Sequence, residues 1–421
     1  MISQNVKSNP INTSNAMRFT LTPRGTSLLA PLLTLLAMGS FTSCSSEDDP
    51  VQAYNPSAYI KDEAKLTMLH SLVDKEGGKG RIYEMNYTSD YKLDDALDAQ
   101  ISGLEDLQRF AVTSLFDRTS SANKQKISFG AGCSAYAATD SRQGHCLMGR
   151  NYDFCHKNPQ DSKKEDEIAA ILVRTAPEGG KKSVSMVDGY WLGYKRGFYE
   201  DRQTDLSMLM LAPYALMDGI NEDGFAIGVL HLDGLPAVQR EAGKPTIYLS
   251  VAMRMLLDKA STVKEATEML KNYNMNMESS AKGSYHFFMA DATGHYAIVE
   301  YVNRGGDINV NPDSLDVLAD TLRYTTNFYN SPRMESTPYG NTSDHGKHRY
   351  NILKTNVDAC KARMTPTEAM ILLQAVSQEP NTDDPTSHTQ WSSLYDLTTK
   401  TLRLSILREY DEEKLMDFRV Q

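Results

Sequence analysis

The alternation of apolar and polar residues divides the chain into a few helical segments and many strand-like ones. From residue 93 to residue 116, apolar side chains recur every three or four positions, which predicts one long amphipathic helix. Beyond residue 132, short apolar runs bounded by turn-forming residues predict strands. The first two, "CSAYAATD" and "GHCLMGRNYDF", are joined by a short polar connection and predict an antiparallel hairpin.

Predicted helices interrupt the strands in two places. The run "TIYLSVAMRMLLDKA" predicts one helix, and a second begins at Thr262, with Glu265 placed to complete a capping box. A third begins at Thr365, where Pro366 and Glu368 provide the same start signals. Strands, a helix pair, strands, a helix and strands, in this order, predict an α+β architecture of antiparallel sheets covered by helices.

Composition and charge exclude several classes of protein. The hydrophobic content of 40% in 421 residues is that of a globular protein with a sizeable core. The formal net charge is −10, and no basic cluster is dense enough to neutralise a run of phosphates. We therefore expect no nucleic-acid partner.

The first fifty residues have the pattern of an export signal. The apolar run "LLAPLLTLLAMGSF" follows Arg18 and Arg24, and it is too short to span a bilayer comfortably. The following "FTSC" is similar to a bacterial lipobox, with Phe41 in place of the usual aliphatic residue, which predicts a lipoprotein signal peptide over residues 1–43 and lipidation of Cys44. A plain signal peptide with an unmodified Cys44 is the alternative.

The residues after Cys44 extend this interpretation. "SSEDD" is similar to the acidic export signal of surface lipoproteins in the Bacteroides group. It predicts a lipid-anchored protein of the cell envelope, at the outer membrane surface or in the periplasm. Residues 44–57 have the composition of a polar tether.

The other four cysteines are too few for a disulfide scaffold. A disulfide between Cys146 and Cys155 stays open, beside the commoner alternative of small buried thiols. The pairs "HC" at 145–146 and "CH" at 155–156 suggest zinc ligands, but they should lie at opposite ends of one strand, which argues against a shared ion. No metal or other cofactor is predicted.

Cys133 is the candidate nucleophile. It follows a small, flexible Gly-Ala-Gly run, and the predicted hairpin brings it opposite Arg150 and Asn151, with Asp153 just beyond the strand end. A cationic neighbour favours the thiolate, which is the form a nucleophilic cysteine requires. The alternative is a buried strand cysteine without chemistry.

This hairpin resembles the nucleophile hairpin of the choloylglycine hydrolase family, the N-terminal-nucleophile (Ntn) amidases that include bile salt hydrolases and penicillin V acylases. In that family a cysteine starts one strand and "GRN-x-D" ends its partner. Further segments resemble the family in the same order, from about residue 133 to residue 407: "DGINEDGFAIGVLHL", "YHFFMADATGHYAIVE", "TTNFYNSP", "HRY" and "TQWSSLYDLTTKTL". The resemblance implies a four-layer αββα sandwich of two antiparallel sheets.

The resemblance also implies roles for individual residues. Cys133 would be the nucleophile, with Arg150 and Asp153 as charged supports. Asn327 would donate to an oxyanion, and Arg349 would be a second supporting arginine. A sixth position departs from the family, because His231 stands where an Asn or Tyr is usual, although its ring can also donate a hydrogen bond.

Cys133 lies far inside the chain, whereas bile salt hydrolases and penicillin V acylases carry this cysteine at or near their start. The bond between Gly132 and Cys133 must then be cleaved to free an α-amino group. This layout resembles the precursors of N-acylethanolamine acid amidase, acid ceramidase and isopenicillin N acyltransferase. It predicts a helical pro-segment over residues 58–132 and a catalytic domain over residues 133–421.

The implied activity is hydrolysis of linear amide bonds in small N-acyl conjugates through a thioester on Cys133. Acyl transfer to an amine and a catalytically inactive surface binder are the alternatives. His286 and His295 are interpreted as strand-face residues, and the Met-rich runs "SMLMLAPYALM" and "VAMRMLL" as core or as an adaptable acyl pocket. Whether the protein forms a homo-oligomer stays open.

Overall fold

The computed structural model describes residues 54–118, 132–158, 161, 163–278, 283–303, 307–340, 344, 346–384 and 386–421. The predicted signal peptide, the lipidation site Cys44 and most of the predicted tether lie outside these residues. From residue 54 onward, no described helix combines the length and the apolar character that a membrane span requires.

Strands outnumber helices in the described residues. In chain order the strands are β1 (Val73–Asp74), β2 (Ile82–Tyr87), β3 (Gly132–Asp140), β4 (Cys146–Asp153), β5 (Ala170–Thr175), β6 (Ser183–Asp188), β7 (Leu216–Asn221), β8 (Ala226–Leu232), β9 (Thr246–Tyr248), β10 (Asn274–Asn276), β11 (Ser284–Ala290), β12 (Tyr296–Val302), β13 (Ser314–Ala319), β14 (Tyr324–Thr325), β15 (Arg363–Met364), β16 (Thr389–Asp396), β17 (Thr401–Ile406) and β18 (Met416–Arg419). The α-helices are α1 (Glu63–Leu69), α2 (Leu93–Asp98), α3 (Leu104–Phe110), α4 (Leu249–Lys259), α5 (Val263–Leu270), α6 (Lys347–Ala359) and α7 (Pro366–Ala375).

Two large sheets pack face to face between two layers of helices. Sheet A has the strand order β1-β2-β5-β6-β7-β8-β11-β12-β13, and sheet B has the order β14-β3-β4-β16-β17-β18. Strand β3 of sheet B packs on β8 and β11 of sheet A. Helices α4 and α5 cover sheet A, and α6 and α7 cover sheet B. The predicted α+β class and αββα layers are confirmed.

Most neighbouring strands in the described residues are antiparallel, as predicted, but three pairs are parallel, including β9 with β10. Strand β2 runs parallel to β5, and β15 runs parallel to β3. The predicted helical pro-segment contains helices α1, α2 and α3, and it also contributes strands β1 and β2 to sheet A. Residues 54–118 also belong to the same compact unit as the rest of the described chain.

The predicted long helix over 93–116 is broken into α2, α3 and a π-helical turn over 111–115. Gln100 adopts a positive φ of 49°, and Gly103, a poor helix former, is extended. The backbone N–H and hydroxyl of Ser102 both donate to the Asp106 carboxylate, which favours a new helix start there. The apolar periodicity still marks the buried face, since Ala96, Ile101, Leu107 and Phe110 are all in the core.

The start signals of the later helices are observed with one difference. Thr365 and Glu368 form the complete predicted capping box. The Thr262 hydroxyl accepts from the Glu265 backbone N–H, but the Glu265 carboxylate accepts from Ser261 instead of from Thr262. Both helices therefore begin where the sequence predicts.

Candidate active site

The β3–β4 hairpin forms as predicted, but its register differs by one residue from the expected one. Cys133 lies opposite Tyr152, and Ala135 lies opposite Arg150. Five residues connect the two strands, and the Asp140 N–H donates to the His145 carbonyl oxygen at 2.7 Å, which sets this register. Because side chains alternate between sheet faces, this register places Cys133 and Arg150 on the same face as diagonal neighbours. The predicted register would have separated them.

Arg150 provides the cation beside the nucleophile. Its Nη2 lies 3.3 Å from the Cys133 sulfur and donates to the Val229 carbonyl oxygen at 2.7 Å. Its Nη1 donates to the carboxylate of Asp218. Arg150 and Asp218 are both fully buried, so each requires the other as a partner.

Asp218 begins the family-like segment "DGINEDGFAIGVLHL", but the sequence analysis gave this residue no role. Its carboxylate also accepts from the Trp391 indole and the Ser393 hydroxyl, each at 3.0 Å, and from the Tyr395 hydroxyl. Strand β7 therefore provides the counter-charge, and β16 provides three donors that hold it. The available signal was an aspartate within an otherwise apolar strand segment, which calls for a buried partner.

Burial dominates the acidity of the nucleophile in the intact chain. It raises the pKa of the Cys133 thiol to about 11, although the nearby Arg150 guanidinium acts in the opposite direction. Arg150 favours the thiolate, as expected, but burial outweighs this effect in the uncleaved chain. At neutral pH the thiol keeps its proton, and a base must remove it.

The backbone nitrogen of Cys133 is also held by a side chain. Its N–H donates to the Asn327 amide oxygen at 2.9 Å, and Arg349 Nη2 donates to the same oxygen at 2.7 Å. The Asn327 Nδ2 donates to the His231 carbonyl oxygen at 2.8 Å. Two donors on one side and an acceptor on the other fix the orientation of the Asn327 amide.

Asp153, the last residue of β4, is fully buried. Its carboxylate accepts from the Thr389 hydroxyl at 2.6 Å and from Gln378 Nε2 at 2.9 Å, and Arg349 Nη1 lies 3.5 Å away. Burial raises the pKa of Asp153 despite the nearby Arg349. Thr389 begins the family-like segment "TQWSSLYDLTTKTL" but was given no role, and Gln378 lies outside every quoted segment.

Arg349 joins the two sides of the nucleophile. Besides its contacts with Asn327 and Asp153, its Nη1 donates to the Cys133 carbonyl oxygen. Arg349 is the third residue of α6. Gly346, at the N-cap of this helix, has a positive φ of 73°. A β-carbon added to Gly346 would lie 2.7 Å from the Thr326 hydroxyl oxygen, so a glycine is needed where α6 meets the Asn327 segment.

The structure places His231 next to Asn327 through its backbone carbonyl. Its ring packs edge-on against Tyr285, with ring centroids 5.6 Å apart. A β-carbon on Gly283 would lie 2.2 Å from His231 Nε2, so the glycine leaves room for this ring. Donation by His231 to an oxyanion stays a prediction.

His286 has a supporting position that the sequence did not reveal. It is fully buried, with Nε2 at 2.8 Å from the Thr326 carbonyl oxygen and Nδ1 at 3.0 Å from the Glu300 carboxylate. Glu300 in turn accepts from the backbone N–H groups of Asn330 and Ser331 at 2.8 Å each. This pair therefore connects sheet A to the segment that carries Asn327. His295 is mostly exposed and pairs with Asp320.

The other cysteines in the described residues, Cys146, Cys155 and Cys360, are free thiols. Cys146 begins β4 and Cys155 lies beyond its end, and the adjacent His145 and His156 pair with different carboxylates, Asp396 and Asp188. The Met-rich runs pack mainly in the core, where Met210, Met253 and Met255 are at most 2% exposed.

Comparison with known protein families gives a match. The family model described as linear amide C-N hydrolases, choloylglycine hydrolase family, matches residues 133–345, which begin at the proposed nucleophile and include just over half of the chain. The chain belongs to this family. No curated protein sequence matches it.

The chain also matches solved structures, at low sequence identity. A mutant conjugated bile acid hydrolase from Clostridium perfringens shares 14% identity, with 68% of this chain and 92% of that chain covered and a TM-score of 0.45. Penicillin V acylase from Agrobacterium tumefaciens shares 17% identity, with 65% and 83% covered and a TM-score of 0.41.

Proposed function

We propose that this linear amide C–N hydrolase releases the amine from small N-acyl conjugates, with Cys133 as an N-terminal nucleophile. Family membership supports amide hydrolysis, and the geometry around Cys133 supports the nucleophile. The observation that carries the proposal is that one residue has its sulfur against Arg150 and its backbone nitrogen against Asn327. An Ntn hydrolase needs the sulfur and the nitrogen of its nucleophile to be held in fixed positions.

The first step is cleavage of the chain at Gly132–Cys133. The Cys133 sulfur attacks the Gly132 carbonyl carbon, the C–N bond breaks, and the nitrogen takes the thiol proton to become a free α-amine. Water then hydrolyses the Gly132 thioester, which leaves a Gly132 carboxylate, restores the thiol and releases one proton to the free amine or to solvent. Atoms and charge balance with water as the one co-reactant.

The freed amine has an ordinary pKa of about 7.7–8.0, which suits it to accept the thiol proton near neutral pH. The nitrogen of this amine is the backbone nitrogen of Cys133 in the intact chain, which lies 2.9 Å from the Asn327 amide oxygen. The buried Asp153, held by Thr389 and Gln378, adds negative charge beside it. The freed α-amine is therefore the base that the protonated thiol requires, and these contacts position it.

In the catalytic cycle, the thiolate adds to the substrate carbonyl and the amine leaves with a proton. The acyl group remains as a thioester on Cys133 until water releases it as an acid. Arg150 stabilises the sulfur while it carries negative charge, and Asp218 holds Arg150 in place. Donors for the oxyanion are assigned to Asn327 and His231 from the family resemblance.

We also propose that the protein is exported and attached to the cell envelope through lipid on Cys44. The support is the order of Arg18, Arg24, the apolar run and "FTSC" in the sequence. Labelling of the full chain with a radioactive fatty acid in its bacterial host tests this, with Cys44→Ser as the control. Equal labelling of both chains would contradict lipidation at Cys44.

Intact mass and product analysis test the enzymatic proposal. The purified chain should split at Gly132–Cys133, and the mature protein should release glycine, taurine, ethanolamine or the aminopenicillanate nucleus from at least one acyl conjugate. Cys133→Ala should remain unsplit and inactive. An amide product formed from an added amine, in place of free acid, would identify an acyltransferase. An unsplit, inactive wild-type chain would favour a surface binder.

A further inference from the structure

Gly132, the residue on the acyl side of the proposed cleavage site, has no room for a side chain. It is buried at the start of β3, opposite Asp153. A β-carbon added in the L configuration would lie 1.9 Å from the Thr386 carbonyl oxygen and 2.9 Å from both the carbonyl carbon and the β-carbon of Thr386. The obstacle is largely backbone, so a side-chain rotation cannot remove it.

The obstructing carbonyl is fixed to the catalytic residues. Gln378 Nε2 donates to the Thr386 oxygen at 2.7 Å and to the Asp153 carboxylate at 2.9 Å. The Thr386 hydroxyl and backbone N–H both donate to Asp384, at 2.7 Å and 2.9 Å. Moving this carbonyl would therefore disturb the environment of Asp153, and we call Thr386, with the contacts that hold it, the acyl wall.

The Gly132 acyl group and a substrate acyl group have the same chemical relation to Cys133. Each begins as an amide attacked by the same sulfur, each becomes a thioester on that sulfur, and each leaves through attack by water. The α-carbon of a substrate acyl group therefore takes the place of the Gly132 α-carbon. Its substituents meet the same acyl wall.

We propose that the acyl wall makes the enzyme selective at the acyl α-carbon. It admits acyl groups whose α-carbon is an unsubstituted methylene. It rejects acyl groups with a substituent where an L residue at position 132 would carry its side chain. Peptides of L residues other than glycine are thereby excluded from the acyl side. This inference rests on the proposed function and adds a stereochemical rule to it.

The test uses mature enzyme and three amides of one fluorogenic amine. The first amide has a straight-chain acyl group. The other two each carry one methyl group on the acyl α-carbon, and they differ only in the configuration at that carbon. We expect kcat/KM for the hand that superposes on an L residue to fall on the order of a hundredfold below the straight chain, because one misplaced methyl group in a fixed pocket has an effect of this size. For the amide of the opposite configuration, kcat/KM should fall much less.

Self-cleavage gives a second measurement that needs no substrate. Gly132→Ala should remain uncleaved after the wild type has split completely. Gly103→Ala is the matched control, because Gly103 is also extended and precedes the cleavage site, yet the nearest atom to an added β-carbon is 4.0 Å away. Circular dichroism of both variants establishes that they fold.

The outcomes separate this inference from the proposed function. Hydrolysis of the straight-chain amide with equal rates for both α-methyl hands would overturn the acyl wall and leave the amidase proposal intact. Rapid self-cleavage of Gly132→Ala would also overturn it. A mature enzyme that hydrolyses no acyl amide would overturn the proposed function, and this inference with it.

Discussion

The sulfur side and the nitrogen side of Cys133 are built differently. On the sulfur side, Arg150 and Asp218 are fully buried on strands of the two packed sheets. On the nitrogen side, Asn327 follows the short strand β14, and Arg349 lies in the first turns of α6. The comparison indicates that the sulfur side depends on charge pairing inside the core, whereas the nitrogen side depends on how two connecting segments are anchored.

Removal of the buried counter-charge should have the largest effect on stability. In a Cys133→Ala chain, which stays intact, Asp218→Asn leaves Arg150 buried without an anionic partner. We expect a loss of about 3–5 kcal/mol in the free energy of unfolding, measured with denaturant. Ser393→Ala, which removes one neutral donor to Asp218, should lose only about 1 kcal/mol. Equal losses in both variants would contradict the assigned charge pairing.

The nitrogen side should affect chemistry more than stability. Asn327→Ala removes the acceptor for the Cys133 nitrogen, so we expect self-cleavage and kcat to fall on the order of a hundredfold. Mass spectrometry over time and steady-state kinetics measure the two effects. Asn356→Ala, at an exposed position on α6, is the control. Unchanged self-cleavage in Asn327→Ala would show that this amide does not place the nucleophile.

The free energy of unfolding should depend on pH through the titration of the buried Cys133 thiol. Because the pKa of Cys133 is raised to about 11 in the folded chain, the folded state holds a proton that the unfolded state releases near its ordinary value. The thiol's contribution is therefore complete below about pH 8.5 and is lost as the pH rises through about 11. Uncleaved Gly132→Ala should lose more unfolding free energy over this window than Gly132→Ala with Cys133→Ala. Parallel curves would contradict a buried neutral thiol.

The smallest effect is expected at His295. Its exposed pair with Asp320 lies outside both sides of the nucleophile. His295→Ala should change the unfolding free energy by less than about 1 kcal/mol and leave kcat/KM unchanged. A strong loss of activity would mean that the site extends to this end of the β11–β12 hairpin.

Local pattern was sufficient for much of the fold. The β3–β4 hairpin, the helix starts at Thr262 and Thr365, and the layered α+β class follow from periodicity, turn residues and caps. The hairpin register was wrong by one residue because the local pattern does not fix which residues close the turn, where Asp140 pairs with His145. The break between α2 and α3 was missed because the apolar periodicity continues across Gly103.

The site was predictable where a family motif marked it. Cys133, Arg150, Asp153, Asn327 and Arg349 are brought together by the structure, as the resemblance implied. Asp218 lies in a family-like segment but received no role, because its partners are set by the packing of one sheet on the other. Gln378 was missed because it lies on a distant connecting segment. The raised pKa of the thiol was missed for a related reason, since burial is a property of the whole fold.

The most direct test of the account is the amino-terminal sequence of the large fragment in active, purified enzyme. The account predicts that this fragment begins at Cys133, that its formation precedes activity, and that Cys133→Ala abolishes both. An active preparation whose chain is unbroken between Gly132 and Cys133 would contradict it.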